Sequence, residues 1–172
     1  SFAVLCSPFW LMFVIYGMTS LKTLKNSNQL ADAILGIPQT RMSKRSVLQF
    51  GFMIACETKR SPLEYNGYGC YCGQGGKGTP VDEIDWCCYA HDMCHYKLQP
   101  KEACGKSYHI VELYLILYLR KGCSGCGKLG SPWNSCVQKK LCECDAEAAK
   151  CFKKYDSKFN ENHKNYPKST CK

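Results

Sequence analysis

Fifteen cysteines in 172 residues, close to one residue in eleven, constrain this chain more than any other feature. Such density is rare in a reducing cytosol and common in small secreted folds stapled by disulfides. The count is odd, and the first stretch explains why. Residues 2–16 (FAVLCSPFWLMFVIY) are almost wholly apolar, and Gly17, Met18, Thr19 and Ser20 follow as small or uncharged residues. The run is short for a membrane span, so residues 1–20 are expected to be a signal peptide, with an uncleaved anchor as the alternative. Cys6 lies within it.

Residues 21–45 are polar and end in Arg41-Met42-Ser43-Lys44-Arg45. A Lys-Arg pair after a signal peptide reads as a processing site, so this stretch is expected to be a propeptide; a solvated charge pair in a loop is the plainer reading. Cutting after Arg45 leaves residues 46–172, which is 172 − 45 = 127 residues with 14 cysteines, enough for seven disulfides with none left over. That product carries 18 Lys/Arg and 13 Asp/Glu, a net charge of 18 − 13 = +5. Basic charge suits anionic surfaces without naming one. The chain shows no nucleic-acid motif and no Asn-x-Ser/Thr glycosylation site.

Cys87 and Cys94 lie seven residues apart in a helix-like segment, residues 85–95, and so do Cys144 and Cys151 in another, residues 141–152. Seven residues is about two helical turns, which puts each pair on one face. Two antiparallel helices would then be joined as Cys87–Cys151 and Cys94–Cys144; a parallel pair would use the opposite pairing, and spacing does not decide between them. The antiparallel choice has a chemical consequence. His91 lies one turn before Cys94 and Asp145 follows Cys144, so both would project between the helices. A His beside a carboxylate is held in one tautomer and becomes a better base.

Before the first helix runs a glycine-rich loop, Tyr68-Gly69-Cys70-Tyr71-Cys72-Gly73-Gln74-Gly75-Gly76-Lys77-Gly78. Glycines at this density let a backbone turn sharply and aim carbonyls inward. Carbonyl oxygens and one carboxylate make a hard-cation site suited to Ca²⁺. An ordinary flexible loop is the bland alternative. A phosphate cradle would need a Gly-Lys-Ser/Thr context that is absent.

In that order, Tyr71-Cys72-Gly73-Gln74-Gly75-Gly76, Asp85-Trp86-Cys87-Cys88-Tyr89-Ala90-His91-Asp92-Met93-Cys94 and Leu141-Cys142-Glu143-Cys144-Asp145 resemble the secreted phospholipase A2 family. The likeness covers nearly all of residues 46–172, including an amphipathic N-terminal helix that begins at Ser46. It implies a mainly α, disulfide-rich fold: an N-terminal helix, a calcium loop, two long antiparallel disulfide-linked helices and a small β-hairpin. It also implies calcium-dependent hydrolysis of the sn-2 ester of glycerophospholipids presented in membranes, micelles or vesicles, outside the cell. Asp92 and the carbonyls of Tyr71, Gly73 and Gly75 would hold Ca²⁺, His91 would activate water, and Asp145 would orient His91. Val47, Phe50 and Ile54 would line the acyl channel, although the same residues also suit the apolar face of a core helix. The pancreatic and elapid pattern of the family, marked by Cys56, adds the pairs Cys56–Cys123, Cys70–Cys171, Cys72–Cys88, Cys104–Cys136 and Cys126–Cys142.

The chain departs from that pattern at His95, which stands where the family has a tyrosine bonded to the buried aspartate. Tyr114 and Tyr118 compete for the second tyrosine partner. Residues 108–119 (YHIVELYLILYL) are unusually apolar and are expected to form strand, though the periodicity admits a helix; a membrane-facing patch is another reading. His91-Asp92-Met93-Cys94-His95 echoes the zinc-protease signature H-E-x-x-H, but Asp is one methylene shorter than Glu and that reading leaves the glycine loop unexplained. Cys123 and Cys126 could ligate zinc, yet an even cysteine count in a secreted chain favours disulfides. A non-catalytic binding or toxin protein on the same scaffold is the rival function. Lys59, Lys77, Lys121, Lys153 and Lys154 are candidates for contact with anionic lipid, against the ordinary reading as solvated charges.

Overall fold

A stripe of apolar and small residues at helical spacing organises the longest element. In α5 (Cys136–Tyr155), Val137, Leu141, Cys144, Asp145, Ala148, Ala149 and Phe152 are buried, while Lys140, Glu143, Glu147 and Lys150 face outward. A stripe at this period needs partners on that side to exclude water. α1 (Ser46–Thr58) and α2 (Glu83–Tyr96) supply them, bringing Met53, Ile54, Ile84 and Cys87 into the core. This computed structural model describes residues 46–73, 75–131 and 134–172. The expected signal peptide and propeptide (residues 1–45) and Gln74 lie outside the described residues.

The fold is mainly helical, with two short helices, α3 (Lys101–Cys104) and α4 (Ile110–Leu113), and several single 3₁₀ turns. α2 and α5 are antiparallel and joined twice, Cys87–Cys151 and Cys94–Cys144. Five further disulfides are Cys56–Cys123, Cys70–Cys171, Cys72–Cys88, Cys104–Cys136 and Cys126–Cys142. Each cross-link typically stabilises a small fold by about 2–4 kcal/mol, chiefly by restricting the unfolded chain. Strands β1 (Arg120–Lys121) and β2 (Gly125–Cys126) pair antiparallel, Arg120 opposite Cys126. Disulfides from Cys123 in its turn and from Cys126 tie this hairpin to α1 and α5.

The strand expected across residues 108–119 does not form. His109 and Glu112 close a capping box, the Glu112 carboxylate accepting from the His109 N–H at 2.8 Å, and this starts the helical turn α4 instead. Leu113 and Tyr118 turn into the core, while Val111, Leu115 and Leu119 stay exposed. Only at Arg120 does extended pairing begin.

Candidate active site

The glycine loop is held in shape by one buried carboxylate. Asp85, in the first turn of α2, accepts hydrogen bonds from the backbone N–H groups of Cys70 (2.7 Å), Tyr71 (2.7 Å) and Val81 (2.9 Å). It thereby gathers both ends of the loop onto the helix start, where the dipole also favours negative charge. Gly69 passes so near that a Cβ there would lie 2.3 Å from the Asp85 carboxyl carbon. Asp85 does not stand out in the sequence, because an acidic residue opening a helix reads as ordinary capping. The loop is closed further by the Tyr71 hydroxyl, which donates to the Gly78 carbonyl at 2.6 Å. Gly73 has φ 105°, a conformation reserved for glycine, so the loop can turn there.

Asp92 is half-buried on α2, and among the described residues its carboxylate receives no hydrogen bond or ion pair. Burial, with the charge of Asp85 adding to it, pushes its pKa up to about 7, although His95 and Lys168 pull the other way. A desolvated carboxylate without a protein partner, beside a loop of carbonyls, fits a hard cation better than it fits any group of the chain itself. Tyr71 is buried, whereas Gly73 and Gly75 are exposed.

Directly before Asp92, His91 meets Asp145 across the two cross-linked helices, His91 Nε2 lying 2.6 Å from Asp145 Oδ1. Burial opposes the charge on Asp145, but bonds from His91 and His95 outweigh it and hold the pKa at about 2. Asp145 is therefore an acceptor only. His91 must carry its proton on Nε2 and present a bare lone pair on Nδ1. Burial, assisted by His95, lowers the His91 pKa against the pull of Asp145, which keeps the ring neutral. Phe50 stacks on this imidazole with ring centroids 4.3 Å apart and planes 13° from parallel.

His95 Nε2 donates to the same Asp145 Oδ1 at 3.1 Å, and the Tyr118 hydroxyl donates to Oδ2 at 2.5 Å. Of the two competing tyrosines, Tyr118 thus reaches the aspartate, while the Tyr114 ring lies against His95 with centroids 5.5 Å apart. Gln49, unremarked in the sequence, holds Tyr118 in place. Its side-chain amide donates to the Tyr118 carbonyl (2.7 Å) and accepts from the Tyr118 N–H (3.2 Å). Gln138 adds a bond to the Leu117 carbonyl at 2.7 Å. Of the other expected channel residues, Ile54 is buried in the core and Val47 is half-buried on α1.

The family model described as "Phospholipase A2" matches residues 47–164. The chain is 46% identical over 126 residues to a phospholipase A2 of Calliactis polypus, covering 73% of this chain and 74% of that one. It is 40% identical over 126 residues to the group IIE secretory phospholipase A2 of Homo sapiens (73% and 82% covered). It is 44% identical over 131 residues to the basic phospholipase A2 ammodytoxin A of Vipera ammodytes ammodytes (74% and 84% covered). The chain belongs to the phospholipase A2 family. It is an enzyme, a hydrolase that releases the sn-2 fatty acid of glycerophospholipids and leaves a lysophospholipid.

Proposed function

We propose that this hydrolysis is calcium-dependent, that His91 is its general base, and that it takes place outside the cell on aggregated phospholipid. The observation that carries the reading is the 2.6 Å contact between His91 Nε2 and Asp145 Oδ1: an ionised Asp145 accepts Nε2–H from His91, which frees Nδ1 to take a proton from water. Asp145 orients the ring and stabilises the imidazolium that forms, as a carboxylate does in a serine-protease triad, here without a serine. The His95 bond helps keep Asp145 ionised, and the Tyr118 hydroxyl holds its other oxygen.

Asp92, with the carbonyls of Tyr71, Gly73 and Gly75, would hold Ca²⁺. When bound, the ion supplies positive charge where the ester oxygen becomes an oxyanion. The Gly73 N–H would donate to the same oxygen. Val47, Phe50 and Ile54 would line the channel for the acyl chain, Phe50 also covering one face of His91. Millimolar-range calcium sites of this kind work outside cells, which agrees with seven disulfides and with relatives named as secretory or as toxins. Among the described residues no helix is long and apolar enough to cross a membrane.

Access to lipid would fall to the surface. Val111, Leu115 and Leu119 expose apolar side chains along one segment, and Lys59, Lys77, Lys121, Lys153 and Lys154 are exposed. Exposed apolar groups and exposed cations each suit an anionic interface.

The test is fatty-acid release from mixed phospholipid micelles with calcium, with chelator, and by the His91→Gln variant. The expected result is calcium-dependent release from sn-2 that falls roughly 10²–10⁴-fold in His91→Gln. Equal rates with chelator, or an unaffected variant, would overturn the reading.

A further inference from the structure

The second imidazole on Asp145 has no part in the hydrolysis beyond bracing the carboxylate. His95 follows His91 by four residues on α2, the spacing that puts two side chains on one helix face. Both Nε2 atoms reach a single oxygen, Asp145 Oδ1, at 2.6 and 3.1 Å. All three ligand atoms lie within 4.8 Å of one another. Two imidazoles and a carboxylate, with one position left open, are the donor set that borderline-soft divalent ions take up. A tetrahedral Zn²⁺ with bonds of about 2.0–2.2 Å spaces its ligand atoms roughly 3.3 Å apart, so to admit it Asp145 Oδ1 would draw back from His91 by roughly 0.7 Å and the widest-spaced pair of ligand atoms would close by up to roughly 1.5 Å. Ca²⁺ prefers an all-oxygen shell and would not compete here.

We propose that His91, His95 and Asp145 form an inhibitory site for a transition-series divalent cation, Zn²⁺ foremost. His95 Nδ1 is buried without a hydrogen-bond partner among the described residues, so moving the ring onto the ion gives up only its Nε2 bond to Asp145. The His91 side chain, 11% exposed against 2% for His95 and Asp145, marks the side from which the ion enters. When Nε2 of His91 and Nε2 of His95 donate their lone pairs to the ion, each ring's proton moves from Nε2 to Nδ1. No electron is transferred and neither ring releases a net proton. Nδ1 of His91 then donates instead of accepting, and water loses its base. Binding rests on the geometry alone, whereas inhibition rests on His91 being the general base, as proposed above.

The full-length oxidised chain, saturated with calcium, is titrated with Co²⁺ as a visible-absorbing stand-in for Zn²⁺. The expected result is a saturable four-coordinate cobalt spectrum that Zn²⁺ displaces. His95→Tyr should weaken cobalt binding roughly tenfold or more, as loss of a ligand requires. His95→Gln, which removes the imidazole in a smaller side chain, replaces it if the tyrosine variant does not fold. In parallel, Zn²⁺ should suppress fatty-acid release from micelles, chelation should restore it, and additional Ca²⁺ should not. The His95 variants, each compared with its own zinc-free rate, should lose that suppression. Relief by Ca²⁺ would move the ion to the calcium loop and overturn the proposal. A cobalt spectrum unchanged in the His95 variants would do the same, since Cys6 and the other histidines are common to every chain. Absence of any cobalt spectrum would also sink it. A cobalt site lost in the variants, in a chain that hydrolyses no lipid, would uphold the metal site and count against His91 as the base.

Discussion

Asp85 is fully buried and meets three backbone N–H groups, so its removal strands three donors at once. Asp85→Ala is expected to cost about 3 kcal/mol in denaturant unfolding and to weaken calcium binding, because the loop loses the group that gathers it. Asp92 carries a pH dependence whose sign follows from its raised pKa of about 7. Below that pH the carboxyl of the calcium-free protein holds a proton that an ion must displace; above it the site is already charged. Apparent calcium affinity should therefore be flat above about pH 7 and fall up to about tenfold per unit below it, read by calorimetric titration. Calcium-free stability runs the other way: the unfolded carboxyl ionises in its ordinary range while the folded one keeps its proton up to about pH 7, so stability falls as pH rises between the two. That His91 and Asp145 face each other between the two helices follows from the antiparallel reading of the cysteine spacing. The choice between Tyr114 and Tyr118 was not, because it depends on where the chain turns after α4.

Among the elements, α2 and α5 announced themselves, since a pair of cysteines two turns apart on each leaves few arrangements. The segment 108–119 misled for a physical reason. Its composition favours strand, but a local hydrogen-bond pair, His109 with Glu112, outweighs composition over four residues. The exposed face this leaves is testable at the same scale. Val111→Glu with Leu115→Glu should slow hydrolysis of anionic vesicles several-fold while sparing a monomeric short-chain phospholipid, because both side chains are already in water. Equal slowing on both substrates would mean the segment serves the site itself and not its docking.

For the whole molecule, the sequence predicts an activation step at Lys44-Arg45, and α1 gives that step a target. Protein cut after Arg45 is expected to outpace the uncut chain on vesicles, with the two nearer to parity on monomeric lipid; equal vesicle rates would argue against it. The reason lies in how α1 is wired. Gln49 grips the Tyr118 peptide, Tyr118 bonds Asp145, Asp145 bonds His91, and His91 stacks on Phe50, the neighbour of Gln49 in the chain. The path returns to the helix it left, so it behaves as a closed mechanical linkage whose base bar is one turn of α1. In such a linkage no joint moves alone: tilting that turn displaces the imidazole and its carboxylate together, preserving their mutual alignment while re-aiming both. Opening any joint would let the ring swing independently of the helix that seats it.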